Sequence, residues 1–244
     1  MKRKLLSVVF VLLAMILSCL GFLAYQGHVR YQREIERLSV KEAVGAYTSR
    51  EDYVPFDQID EDFVNAVISV EDKRFFSRKG YDLIALIRAA LHNARYGSMV
   101  EGGSTISEQI AKNLYLDGYV DGLEEKAAEI FLMFDLEDAF SKEELFALYA
   151  NMNYYGDGFW GIKEAAEGYY GKRSDDLSLA QAAILAGIPN APAVYQLSDG
   201  FEDAKGRQTW VLQTMENNGF ISQEELDEAL KEDVHPIIKN ESRH

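Results

Sequence analysis

From Leu5 to Tyr25 the chain reads LLSVVFVLLAMILSCLGFLAY, 21 residues without a charge. At about 1.5 Å per residue, a helix of that length crosses a hydrocarbon core of about 30 Å. The run predicts a transmembrane helix, with residues 1–25 as a basic tip and anchor. Lys2, Arg3 and Lys4 precede it, so the positive-inside bias puts the N-terminus in the cytoplasm and the chain after Tyr25 on the opposite side. Ile16, Leu17 and Ser18 before Cys19 loosely resemble a lipoprotein cleavage box. The apolar run nevertheless continues through Leu20, Phe22, Leu23 and Tyr25, beyond where a signal core stops, which predicts an uncleaved anchor.

Charge is distributed unevenly. Residues 1–37 hold six basic and two acidic residues, and the remainder holds 19 basic against 38 acidic. That balance argues against general binding to nucleic acid or to anionic head groups, so an anionic ligand has to be held by local cations. Cys19 is the single cysteine, which excludes an intramolecular disulfide framework and a thiolate-rich zinc site.

Residues 26–46 are polar with spaced Val29, Ile35 and Leu38 and predict a juxtamembrane helix; residues 47–244 predict one domain. Tyr47 to Asp57 reads as irregular or extended. Helical spacing of apolar residues predicts helices over Asp60 to Val70, Tyr81 to Asn93, Ile106 to Leu114, Leu123 to Phe140, Lys142 to Asn151, Ile162 to Tyr170, Leu179 to Ala186, Phe201 to Asn217 and Gln223 to Lys231. Strand signals are few, and the expected fold class is mainly α.

Three places could carry chemistry. In Ala127 to Leu136, AAEIFLMFDL, Glu129 lies on the same apolar face as Leu132, Met133 and Leu136, which costs free energy unless it is paired. Lys126, three residues earlier, is the nearest partner, and the pair reads equally as a structural ion pair or a functional one. Gly102, Gly103, Ser104 and Thr105 bring backbone N–H groups and two hydroxyls to a helix N-terminus, with Gln109 and Lys112 on one stripe behind them. Such an end favours an anion, although an ordinary capped helix has the same pattern. Glu71 and Asp72 end an apolar helix and point in different directions, so that one can face a cleft while a neighbouring cation holds the other.

The joint order of these stretches resembles the peptidoglycan glycosyltransferase family, glycosyltransferase family 51, of the monofunctional biosynthetic type. The resemblance lies in EDKRFFSRKGYD (Glu71 to Asp82), GGSTISEQIAKN (Gly102 to Asn113), EKAAE (Glu125 to Glu129), LYANMNYYGDGFWGIKEAAEGYYGK (Leu148 to Lys172) and LSLAQAAILAGIPNAPAVY (Leu177 to Tyr195). It implies a lysozyme-like α domain over 47–244 that polymerises lipid II by inverting transfer to the acceptor 4-hydroxyl, releasing undecaprenyl diphosphate. It also implies Glu71 as general base and Glu129 as the second catalytic glutamate. Asp72, Ser104, Thr105, Gln109, Lys112, Lys126 and Asn151 are implied as substrate-binding residues. Mg²⁺ or Mn²⁺ at the diphosphate is implied too, although no separate metal-ligand cluster is visible in the sequence. The partners are then lipid II, the growing glycan chain, the membrane and other cell-wall synthesis proteins, with no nucleic acid, at a bacterial cell membrane.

The chain departs from the family pattern at Arg78, where a histidine is usual, at Glu125, where an arginine is usual, and at Glu108, where a glutamine is usual. Between Lys112 and Lys126 it holds no further cation, which leaves the diphosphate short of positive charge. Two alternatives follow: a catalytically weak or inactive member that serves as a lipid II-binding or cell-wall scaffold, and a lytic transglycosylase that cleaves strands. The sequence contains neither SxxK nor K[ST]G, so strand synthesis without cross-linking is expected. Leu91 to Val100, LHNARYGSMV, is the expected apolar approach to the lipid substrate.

Overall fold

A computed structural model describes residues 2–78, 104–116 and 118–237. Among these the chain forms α1 (Lys2–Arg37), α2 (Val40–Thr48), α3 (Glu61–Glu71), α4 (Ile106–Tyr115), α5 (Leu123–Ala139) and α6 (Lys142–Met152). There follow α7 (Gly161–Tyr170), α8 (Leu179–Gly187), the short α9 (Pro192–Tyr195), α10 (Phe201–Asn218) and α11 (Gln223–Ala229). The described residues contain no strand, only an isolated bridge between Tyr154 and Trp160, and the mainly α expectation holds. From Asp60 onward, the expected helices within the described residues appear with ends within two residues of their expected places. The helix expected at Tyr81 to Asn93, the approach segment Leu91 to Val100, and Gly102 and Gly103 lie outside the described residues.

The chain divides into two compact units, Met1–Ala43 with Ser107–Ala139, and Val44–Ile106 with Phe140–His244. In the first, the anchor does not end where its apolar run ends. The helix continues without a break from Lys2 to Arg37, in place of a separate juxtamembrane helix over 26–46, and α2 then begins afresh. The break has a local cause: the Ser39 N–H donates to Glu42 Oε2 at 3.0 Å and the Glu42 N–H donates to Ser39 Oγ at 3.4 Å, a reciprocal cap. The apolar half of α1 exposes Phe10, Leu13, Ile16, Leu17 and Leu20, as a lipid-facing helix does. Its polar half packs on α5, where the His28, Tyr31 and Phe131 rings have centroids 5.3 to 5.6 Å apart and the Tyr31 hydroxyl donates to Asp135 at 2.6 Å. Glu34 is buried between Arg30 and Arg37, each at 3.0 Å.

The two helices meet at Gly27, where an added Cβ would stand 2.3 Å from Ala127 Cβ and 2.9 Å from its carbonyl carbon. Gly27→Val is therefore expected to push α1 off α5 and to lower the unfolding free energy by about 2 kcal/mol. Thermal denaturation of the detergent-solubilised chain reads this directly, and an unchanged midpoint would contradict the contact.

In the second unit, α3, α8 and α10 pack together around Phe63, Val67, Ile184, Leu185, Val211 and Leu212, all buried. Removing each of these large side chains from water contributes roughly 1.5–3 kcal/mol. Asp60 starts α3 by accepting from the Asp62 N–H at 2.9 Å, and reciprocal Ser–Glu or Ser–Gln caps start α6 at Ser141, α8 at Ser178 and α11 at Ser222. Asn218, at the end of α10, donates to Ser69 O at 3.1 Å and accepts from Lys73 Nζ at 2.9 Å. These bonds fix the C-terminal end of α3, where Glu71 sits. Beneath that end Phe75, Phe76 and Phe146 cluster with centroids 5.1 to 6.4 Å apart.

Candidate active site

In the second unit, the consecutive carboxylates at the end of α3 have separate surroundings, as the sequence suggested. Asp72 is 6% exposed. Its carboxylate accepts from Arg78 Nε at 3.2 Å and from Arg78 Nη2, and it also takes the backbone N–H of Ile106, the first residue of α4, at 3.3 Å. Asp72 thereby satisfies one of the unpaired donors of that helix end. Arg78, which departs from the family pattern, is the cation that holds it. Glu71 is half-buried and shares its surroundings with Tyr149 and Arg207. Burial first, and then the Glu71 charge, pushes the Tyr149 hydroxyl well above its usual range. Burial pulls the Arg207 guanidinium down, and Glu71 opposes this. Arg207 also lies 4.0 Å over the Trp210 ring. Neither Tyr149 nor Arg207 was expected from sequence, because only the packing of α6 and α10 brings them to the end of α3.

Ser104 is exposed and Thr105 is buried immediately before α4. Asn151 is 7% exposed, and its amide holds backbone: Oδ1 accepts from the Val54 N–H at 2.8 Å, and Nδ2 donates to Val54 O and Ala147 O, both at 2.8 Å. Its bonds give it a positioning role in the wall of this unit. Nearby, Gly156 has φ 79°, and a Cβ there would stand 2.5 Å from Gln196 Cβ. Asp157, at φ 50°, locks the same turn by accepting from the Tyr169 hydroxyl at 2.8 Å and the Ser198 N–H at 3.1 Å.

In the first unit, α4 and α5 bring charges together. Lys126 Nζ lies 2.9 Å from Glu108 Oε1 and 3.1 Å from Glu129 Oε2. Both carboxylates are almost wholly buried, Glu108 at 1% and Glu129 at 2% exposure. The pairing of Lys126 with Glu129 at i,i+3 was legible in the sequence; Glu108, eighteen residues before Lys126, was not. Gln109 and Lys112 are half-buried on α4, and the Lys112 charge acts on Glu129. Burial disfavours the Lys126 ammonium, but Glu108 and then Glu129 outweigh it and raise its pKa.

Residues 36–216 match the family model described as Transglycosylase. The chain belongs to the transglycosylase family. The transglycosylase domain is lysozyme-like and helical. The chain is 38% identical over 191 residues to a transglycosylase-family protein of Cupriavidus necator, covering 78% of this chain and 82% of that protein. It is 40% identical over 192 residues to penicillin-binding protein 1A of Aquifex aeolicus, covering 79% of this chain but 26% of the relative. The chain thus spans about a quarter of the length of such penicillin-binding relatives. A solved penicillin-binding protein 1A from Haemophilus influenzae aligns with 53% of this chain and 16% of its own, at 28% identity and a TM-score of 0.36.

The burial of Glu129 carries a stability consequence. Burial raises the Glu129 carboxyl above its ordinary range, and Lys126 pulls it only part of the way back. A carboxyl with a raised folded pKa binds its proton more tightly in the folded state, so its contribution to stability is lost as pH rises from the unfolded value through the folded one. Glu129→Gln leaves Lys126 paired with Glu108 and removes that loss. The thermal midpoint of this variant is expected to rise near neutral pH and to match the parent near about pH 4. A lower midpoint at neutral pH would mean that Lys126 requires both carboxylates.

Proposed function

We propose that this chain is a membrane-anchored peptidoglycan glycosyltransferase that polymerises lipid II into glycan strands. The observation that supports the reading is the different surroundings of neighbouring carboxylates. Asp72 is engaged by Arg78 and by the start of α4, while Glu71, half-exposed, ends a helix fixed by Asn218 and the phenylalanine cluster. Such a carboxylate suits general-base work.

In the proposed reaction Glu71 takes the proton of the acceptor 4-hydroxyl as its oxygen bonds to the anomeric carbon of the donor sugar. The bond from that carbon to the diphosphate breaks, the electron pair leaves with undecaprenyl diphosphate, and the configuration inverts. Negative charge then grows on the leaving group, where Lys112 and Lys126, the Ser104 and Thr105 hydroxyls and Gln109 supply cations and donors. Glu129 holds Lys126 in place. Among the described residues no three His, Cys, Asp or Glu side chains converge on one point. Mg²⁺ or Mn²⁺ carried with the diphosphate would neutralise part of the same charge, alongside the protein's own cations and donors.

In this reading the N-terminal helix anchors the domain to the bilayer that carries its lipid substrate, and Lys2, Arg3 and Lys4 before it support a cytoplasmic N-terminus with the domain outside. Within the 244 residues there is no acyl-serine transpeptidase motif, so the reading is confined to strand synthesis, with other cell-wall synthesis proteins as its partners. Binding of lipid II without turnover is the second reading, favoured by the hold of Glu108 on Lys126. The test offers the purified full-length chain fluorescent lipid II or isolated sacculi, each with Mg²⁺, Mn²⁺ or a chelator. The reading expects undecaprenyl diphosphate released from lipid II and intact sacculi. Soluble fragments from sacculi would assign a lytic enzyme instead, and lipid II bound but unconverted under every condition would assign the scaffold.

A further inference from the structure

Two nearly fully buried carboxylates share one ammonium in the α4–α5 pair. Glu108 comes from α4 and Glu129 from α5, and Lys126 Nζ stands between them at 2.9 and 3.1 Å. Glu108 is held where it is by its neighbour: Ser107 is fully buried and donates to Glu137 Oε1 at 2.6 Å, tying the first turn of α4 to α5. Lys112, one turn further along α4, is the other cation whose charge acts on Glu129. Among the described residues, these four groups when ionised sum to zero charge.

We propose that Glu108 sets the affinity of this cluster for the leaving diphosphate by competing with it for Lys126. The inference rests on the glycosyltransferase reading and adds an affinity-determining residue to it. An incoming diphosphate either displaces Glu108 from Lys126 or lies beside two buried carboxylates, and both cost free energy that weak solvent screening does not remove. An uncharged side chain at 108 makes the cluster one unit more positive and removes Glu108 as a competitor for Lys126. Glu108 acts through Lys126 and is a positioning residue. Its effect falls on the binding of donor and leaving group, so it appears in KM and in product retention before it appears in the chemical step.

The experiment measures calorimetric binding of farnesyl diphosphate, with farnesyl monophosphate as control, to the detergent-solubilised full chain. Parent, Glu108→Gln, Lys126→Met and the double variant are compared, with thermal melts to confirm folding. Glu108→Met, apolar and of similar length, makes the same comparison if the Gln variant does not fold. Removing the competing carboxylate is expected to tighten farnesyl diphosphate binding about tenfold and to lower KM for lipid II in step. The gain is expected to vanish when Lys126 is Met. Equal or weaker binding by Glu108→Gln, or a gain that survives without Lys126, overturns the proposal. If Lys126→Met weakens diphosphate binding while Glu108→Gln changes nothing, the proposal fails and the glycosyltransferase reading stands. If every form binds diphosphate no better than monophosphate, the reading fails and the proposal fails with it.

Discussion

Replacing Glu71 with Gln is expected to lower the rate of strand formation from lipid II on the order of 10³-fold, the range in which a positioned general base contributes. An amide cannot take the proton of the acceptor hydroxyl. Asp72, one residue away, does not substitute, because its carboxylate is engaged by Arg78 and by the Ile106 N–H at the start of α4. The same replacement is expected to leave the thermal midpoint almost unchanged, since Gln matches Glu in shape at a half-exposed helix end. The pair of readouts matters: a rate loss with an intact fold identifies a base, whereas a variant that keeps more than about a tenth of the parent rate removes Glu71 from the chemistry.

The second large effect falls on stability. Asn151→Ala removes three buried hydrogen bonds at 2.8 Å and leaves the Val54 N–H and C=O without the amide that satisfies them. Buried backbone groups stripped of partners make this cost about 3 kcal/mol. For a domain of this size the thermal midpoint is expected to fall by roughly 6–12 °C. Asn151→Asp keeps the acceptor for the Val54 N–H but loses both donated bonds, and its midpoint is expected between parent and Ala. Activity per folded molecule separates positioning from substrate contact. A midpoint unchanged in the Ala variant, with transfer abolished, would return Asn151 to the substrate.

Much of the helical framework could be read from local sequence because its signals are local. Ser141 with Glu144 and Ser222 with Glu225 start their helices by bonds that span three residues, and the apolar spacing of Phe63 and Val67 marks the buried face of α3. The continuity of α1 was missed because its two halves differ in composition, while helical geometry is indifferent to whether lipid or α5 covers the side chains. The reciprocal Ser39–Glu42 cap that starts α2 has the same spacing as the others and was readable.

The site was legible to the extent that its pairs were local. Lys126 and Glu129 lie one helical turn apart and announce each other. Glu108 reaches Lys126 from another helix, Asn151 bonds Val54 ninety-seven residues away, and Arg207 comes to the surroundings of Glu71 from α10. None of these follows from periodicity, since each depends on how helices cross. The charge deficit read from the stretch between Lys112 and Lys126 was visible, but its coupling to Lys126 through Glu108 was not.

The most direct test of the central claim, that this chain joins lipid II by inverting transfer with Glu71 as base, is to incubate the full-length protein with fluorescent lipid II. The products are then treated with a muramidase specific for β-1,4 linkages. Long strands that collapse to disaccharide units under the muramidase, and that are missing from the Glu71→Gln reaction, are the predicted result. A folded protein that retains lipid II yet forms no strand, or strands that resist the muramidase, would contradict it.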